Sequence, residues 1–124
     1  MDTLHIEATK YTPSIDLNTD GSLSFIGKSY PENTFEFYTP VIAWLEEFLS
    51  SPPSDTVNVK FDISYFNSSS SKLFFDLFDL LEANRDKSNI AISWIYDEEN
   101  ESAEEAGEDF IDDFQNLNIT LQKR

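Results

Sequence analysis

The stretch Val57-Asn58-Val59-Lys60-Phe61-Asp62-Ile63-Ser64 alternates apolar and polar residues almost perfectly. A period of two is the mark of a strand with one buried and one wet face. Strands of a sheet covered by helices on both sides are apolar throughout. This chain is therefore expected to lay its helices mainly on one face and leave the other face polar. Ile90-Ala91-Ile92-Ser93-Trp94 repeats the pattern less cleanly, and Leu4, Ile6 and Ala8 alternate with His5 and Glu7. After Thr12-Pro13, the runs Ile15–Leu17 and Leu23–Phe25 flank Asn18-Thr19-Asp20-Gly21-Ser22. Asp-Gly between two such runs is a strong hairpin signal.

Three helical stretches separate the remaining strands. The first runs to about Leu49, with Tyr38, Val41, Ile42, Leu45, Phe48 and Leu49 as its core stripe. Pro40 is expected in its first turn with Thr39 as cap, and Ser50-Ser51-Pro52-Pro53 as its end. The second spans about Ser69 to Ala83 and is followed by a polar turn, Asn84–Asn89. Ala103, Ala106, Phe110, Ile111 and Phe114 mark the third, after which Leu117–Leu121 reads as an edge strand. Three strands followed by three helix–strand units, joined by right-handed crossovers, give later strands that run parallel. The expected fold class is α/β: an open, mixed β-sheet with helices mainly on one face and an N-terminal β-hairpin. No repeat or composition break divides residues 1–124, so a single domain is expected.

Composition narrows the function. The net charge of −16, with eight Lys/Arg spread along 124 residues, argues against nucleic-acid binding and against docking to anionic membranes. There is no Cys, which removes disulfides, thiolate zinc sites and cysteine nucleophiles. The segment Met1–His5 does not read as a secretory leader, and no apolar run approaches the roughly 20 residues of a membrane span. The cytoplasm is the expected compartment, so the sequons at Asn67, Asn100 and Asn118 carry no glycosylation meaning. Ten carboxylates between Asp97 and Asp113 have no compensating cation. They read first as a solvated, self-repelling face and second as a docking surface for a basic partner. They lack the ligand spacing and central Gly of a calcium loop.

Catalytic signals are poor. His5 is the only histidine and faces the polar side of its strand, so a Ser-His-carboxylate arrangement has little to build on. Gly21, Gly27 and Gly107 are isolated and form no phosphate loop. A pair such as Asp109 and Asp112 could hold a metal, but its spacing is no more specific than chance. Neither an enzyme, a resident metal nor a cofactor is expected.

The serine run Ser68–Ser71 stands where the alternating strand hands over to the second helix. Ser and Asn are favoured helix caps, yet one cap explains one residue and not four. A helix start offers free N–H groups and the positive end of the dipole, with Lys72 one turn in, so it is also a place to write a phosphate. Carboxyl ends of parallel strands form the working edge of such folds, and Ser68 falls on that edge.

Several segments carry a family resemblance: Thr12-Pro13, Gly27-Lys28-Ser29-Tyr30-Pro31-Glu32-Asn33, Phe37-Tyr38-x-Pro40, Trp44-Leu45, Tyr65-Phe66-Asn67-Ser68-Ser69-Ser70-Ser71-Lys72 and Glu105-Ala106-Gly107-Glu108-Asp109-Phe110. Together they resemble the SiaC-type regulatory phosphoproteins of bacteria, nearly end to end. The resemblance implies a STAS-like fold, similar to that of anti-sigma-factor antagonists, and a partner-switching role. It implies phosphorylation by a GHKL-type serine/threonine protein kinase and dephosphorylation by a metal-dependent serine/threonine phosphatase. In the unphosphorylated state such proteins bind and activate a diguanylate cyclase, raising cyclic di-GMP and promoting biofilm or aggregation. By position the phosphoacceptor is Ser68, with Ser69 as the competing hydroxyl. Family members often carry Thr at this point, and Lys28 stands where Arg is common.

Around Ser68, the candidate partner contacts are Asn67, Lys72 and Phe75, the last projecting away from the core stripe Leu73, Phe74, Leu77, Phe78, Leu80 and Leu81. Phe37 and Trp44, on the border of the first helix's core stripe, are further candidates, with edge-of-core packing as the plainer reading. Lys28 and Tyr30 lie in the segment Gly27–Asn33, read as a loop that leads into a helix start with Asn33 as cap. Two other readings stand beside the cyclase switch: an anti-sigma-factor antagonist acting on a sigma-factor regulator, and a carboxylate-based metal hydrolase. A homodimer is compatible with the sequence.

Overall fold

A computed structural model describes residues 1–50 and 55–124. Its elements follow the order β1 (Leu4–Ile6), β2 (Ser14–Leu17), β3 (Ser22–Ser29), α1 (Thr34–Ser50), β4 (Thr56–Phe66), α2 (Ser68–Ala83), β5 (Asn89–Tyr96), α3 (Glu101–Asp113) and β6 (Asn118–Lys123). The expected turn at Ser51-Pro52-Pro53 lies outside the described residues.

The strands form one open sheet in sequence order, β1 to β6. β1, β2 and β3 pair antiparallel, and β3 to β6 run parallel. This is the mixed sheet expected, with the hairpin at its N-terminal side. Gly21 takes φ +97° in the β2–β3 turn, where its N–H donates to the Asn18 carbonyl at 3.1 Å. A residue with a Cβ rarely adopts that conformation.

Period-two burial sorts the sheet into two faces. Val57, Val59, Phe61 and Ile63 of β4 are buried together with Leu23, Phe25, Ile90, Ile92 and Trp94 in a single core. Phe25 and Phe61, partners across β3 and β4, stack at 4.6 Å. The alternate residues Ser24, Asn58, Lys60, Asp62 and Ser93 stay partly or fully open to water. Trp94 is wholly buried and packs against Phe61, Phe78 and Phe110, while its indole N–H donates to the Ala103 carbonyl at 2.8 Å. That bond satisfies the one polar atom of a side chain whose burial contributes about 2–3 kcal/mol.

Of the two caps expected, Asn33 and Thr39, helix α1 uses Asn33, six residues before Thr39. The Asn33 side chain accepts from the Glu36 N–H at 3.0 Å and donates to the Glu36 carboxylate at 3.2 Å, a reciprocal cap. Pro40 consequently sits in the second turn, and the Thr39 hydroxyl donates back to the Phe35 carbonyl at 2.7 Å. The cap, together with burial of Thr34 and Tyr38, outweighs the single ladder bond that Pro cannot make. Trp44 joins the buried stripe, whereas Ile42 is half-buried at its border.

The segment Gly27–Asn33 is likewise only partly a loop. Gly27, Lys28 and Ser29 complete β3, because a bulge lets β4 keep pace with them. Gly27 pairs with Ile63 and Lys28 with Tyr65, so Ser64 is the extra residue. The Ser64 carbonyl accepts from the Asn100 side-chain amide at 2.9 Å.

Candidate functional site

Parallel strands place the N-termini of α1, α2 and α3 along one edge of the sheet, and each helix is capped by an asparagine. Asn33 accepts from Glu36 N–H, Asn67 from Ser70 N–H at 2.9 Å, and Asn100 from Ala103 N–H at 3.1 Å. The cap expected within the serine segment is therefore Asn67, which frees the four serines for other roles.

Those serines are not equivalent. Ser68 and Ser69 are exposed, Ser71 is half-buried, and Ser70 is completely buried. Ser70 accepts a hydrogen bond from Ser29 at 2.8 Å, and Ser29 in turn bonds the Tyr38 hydroxyl at 2.6 Å. This buried chain of hydroxyls joins α2, the end of β3 and α1 directly beneath Ser68. A further bond from Asn67 N–H to the Ser29 carbonyl, at 3.1 Å, fixes the cap to the same strand end. Burial pushes the Tyr38 phenol well above its ordinary range, while its hydrogen bond with Ser29 pulls the other way.

The two exposed serines line different grooves. Ser68 lies in an open groove of about 420 Å³ between α2 and α3, with Phe66, Ser71, Lys72, Phe75, Ala106, Asp109, Phe110 and Asp113. Ser69 lies in another, between α1 and α2, with Glu32, Phe35, Glu36, Lys72 and Asp76. Lys72 borders both, three residues from Ser69 and four from Ser68 along the helix, a spacing that puts side chains on one face. Phe75 is 43% exposed, with its ring 4.8 Å from that of Phe114.

The other candidate contacts divide between surface and core. Lys28 is exposed in β3, level with Tyr65. Tyr30 packs edge-on between Tyr11 and Tyr65. Phe37 is half-buried and packs edge-on against Tyr38 at 4.8 Å. Trp44 is buried, stacks on Phe48 and donates its indole N–H to the Asp2 carbonyl at 2.7 Å, so its position is one of packing. His5 is exposed and pairs with Asp16 across β1 and β2. Reading the sequence did not single out Ser70, Ser29 and Tyr38 as a unit, nor Tyr11, Tyr65 and the 73%-exposed Phe35 as surface aromatics. A signal for Ser70 was present in the helical spacing, since it stands three and four residues before Leu73 and Phe74 of the core stripe.

Ser68 is thus an exposed hydroxyl at a helix start, in an open groove that it shares with the partly exposed Phe75. The chain belongs to the SiaC family of regulatory phosphoproteins, whose model matches residues 6–124. An uncharacterized protein of Pseudomonas aeruginosa strain UCBPP-PA14 is 38% identical over 115 residues, covering 91% of this chain and 90% of the relative. Among solved structures, SiaC of Pseudomonas aeruginosa superposes with a TM-score of 0.89 at 33% identity, over the whole of both chains. A further match, with a TM-score of 0.89 at 35% identity, covers 98% of this chain and 99% of the other. It comes from a crystal structure of the diguanylate cyclase SiaD in complex with its activator SiaC, again from Pseudomonas aeruginosa. Among the described residues no helix is long and apolar enough to cross a membrane.

Proposed function

We propose that this protein, in its unphosphorylated state, binds and activates a diguanylate cyclase in the cytoplasm, and that phosphorylation of Ser68 releases the cyclase. A GHKL-type serine/threonine kinase would write the phosphate and a metal-dependent serine/threonine phosphatase would remove it. The observation that carries this reading is the position of Ser68: exposed, first in α2, and on the lip of a groove that offers Phe75 to a partner. Similarity to a cyclase activator supplies the partner class.

Electrostatics gives the switch its direction. A phosphate adds about −1.5 to −2 charges. In the free chain the N-terminus of α2 and Lys72 stabilise that charge. A partner lying over Ser68 would have to strip it of water, which costs several kcal/mol unless the partner supplies matching donors.

Ser68→Ala is expected to bind and activate the cognate cyclase constitutively, whereas Ser68→Asp loses binding by tenfold or more. Calorimetric titration of both variants and a cyclic di-GMP assay measure this. If both variants bind like the parent protein, Ser68 is not the switch. Intact-protein mass spectrometry after incubation with the kinase, followed by site mapping, separates Ser68 from Ser69.

A further inference from the structure

Tyr11, Tyr30 and Tyr65 form a continuous row at the end of β3, with Tyr11 and Tyr65 about half exposed. Their rings meet edge to face, at 5.3 Å between Tyr11 and Tyr30 and 5.5 Å between Tyr30 and Tyr65. The row is held in shape by the backbone. Tyr30 N–H donates to the Tyr11 carbonyl at 2.8 Å, and Tyr11 sits on a turn closed by Thr9 N–H to the Thr12 carbonyl at 3.0 Å. Beside it Gly27 takes φ +129°, a conformation that residues with a Cβ rarely adopt. A Cβ there would stand 3.4 Å from the Pro13 Cα.

Glu32 completes a notch of about 330 Å³ with Tyr11 and Tyr30. Among the described residues Glu32 forms no ion pair, and none of the three phenol hydroxyls is hydrogen-bonded. Lys10 Nζ lies 5.8 Å from the centroid of the Tyr11 ring, so the chain's own ammonium already uses one of these π faces. We propose that the notch is a docking site for an arginine side chain of a partner protein, stacked on the Tyr30 ring, with its edge toward the near-perpendicular Tyr11 ring and its fork toward the Glu32 carboxylate. A guanidinium is the cation that satisfies both walls, because it is flat enough to stack and presents paired donors to a carboxylate. The net charge of −16 steers a cationic partner toward the surface at long range. Lys28, level with Tyr65, sets the far limit of the site by repulsion. The notch shares no lining residue with the groove of Ser68, so it does not rest on Ser68 being the switch.

The test uses the full chain and two small probes, N-acetyl-arginine amide and its neutral isostere N-acetyl-citrulline amide, followed by NMR of the tyrosine rings. Arginine amide is expected to shift the Tyr11 and Tyr30 signals saturably, binding about two- to fivefold tighter than citrulline amide. Glu32→Gln, an exposed change that leaves the fold alone, weakens the arginine probe about two- to fivefold. Tyr30→Leu abolishes the shifts and Tyr30→Phe keeps them, while Ser68→Asp leaves them unchanged. Equal shifts with citrulline, a Glu32→Gln variant that binds like the parent, or arginine shifts that bypass the tyrosines would each overturn the proposal. Loss of the shifts in Ser68→Asp would overturn the independence of notch and switch.

Discussion

Replacing Ser70 with alanine removes an oxygen that has no access to water and a fixed partner. Ser29 donates to it at 2.8 Å, and the Tyr38 hydroxyl bonds Ser29 at 2.6 Å, all three residues being wholly buried. Without Ser70 the Ser29 proton loses its acceptor inside the core, which costs about 1–3 kcal/mol. For a chain of this size each kcal/mol lowers the melting temperature by about 3–5 °C, so a fall of several degrees is expected. Ser68→Ala changes an exposed hydroxyl and should stay within about 0.5 kcal/mol of the parent. Ser29→Ala strands both the Tyr38 and the Ser70 hydroxyls and should cost about 2 kcal/mol or more. Once Ser29 is gone, Ser70 has already lost its partner, and the second change should add under about 0.5 kcal/mol. Urea unfolding of the two single variants and the double variant, followed by tryptophan fluorescence, measures the cycle. A Ser70→Ala protein as stable as the parent, or costs that simply add, would refute the buried chain as the support beneath Ser68.

Tyr38 predicts an alkaline limit to stability. Its folded value is raised above the ordinary 10.0 by burial, so the unfolded chain gives up the proton first as pH rises. Stability is therefore intact below about pH 10 and falls as pH climbs beyond it; urea midpoints of Tyr38→Phe should fall less steeply there, and parallel curves would count against the assignment. Gly107→Ala places a Cβ 2.5 Å from both Leu121 Cδ2 and Trp94 Cδ1, so α3 must lift from β5 and β6. The expected loss is about 1–3 kcal/mol, read as a lower thermal midpoint, and a variant that melts with the parent would show that α3 packs more loosely than the structure has it.

Sequence alone determined the architecture, because the physics that sets it is periodic and local. The alternation in Val57–Ser64 required a half-wet sheet, the Asp20-Gly21 step closed the hairpin, and the apolar stripes placed three helices between parallel strands. It also brought out Ser68, through the strand–helix junction and the family motifs around it. Local rules left two starts open for α1, Asn33 and Thr39-Pro40, and the Asn33–Glu36 cap is the one the structure uses. They also ended β3 early, since a bulge at Ser64 depends on what the neighbouring strand does. What only the tertiary structure decided is what four adjacent serines meet. Ser70 is turned to Ser29 and Tyr38 while Ser68 and Ser69 face separate grooves. The helical period of Leu73, Phe74 and Leu77 already turns Ser70 inward, but its partner Ser29 lies 41 residues away in the chain, a contact no local pattern encodes. The same holds for the tyrosine row: Tyr11, Tyr30 and Tyr65 are unremarkable one at a time, and meet only because the sheet brings their three chain segments to one edge.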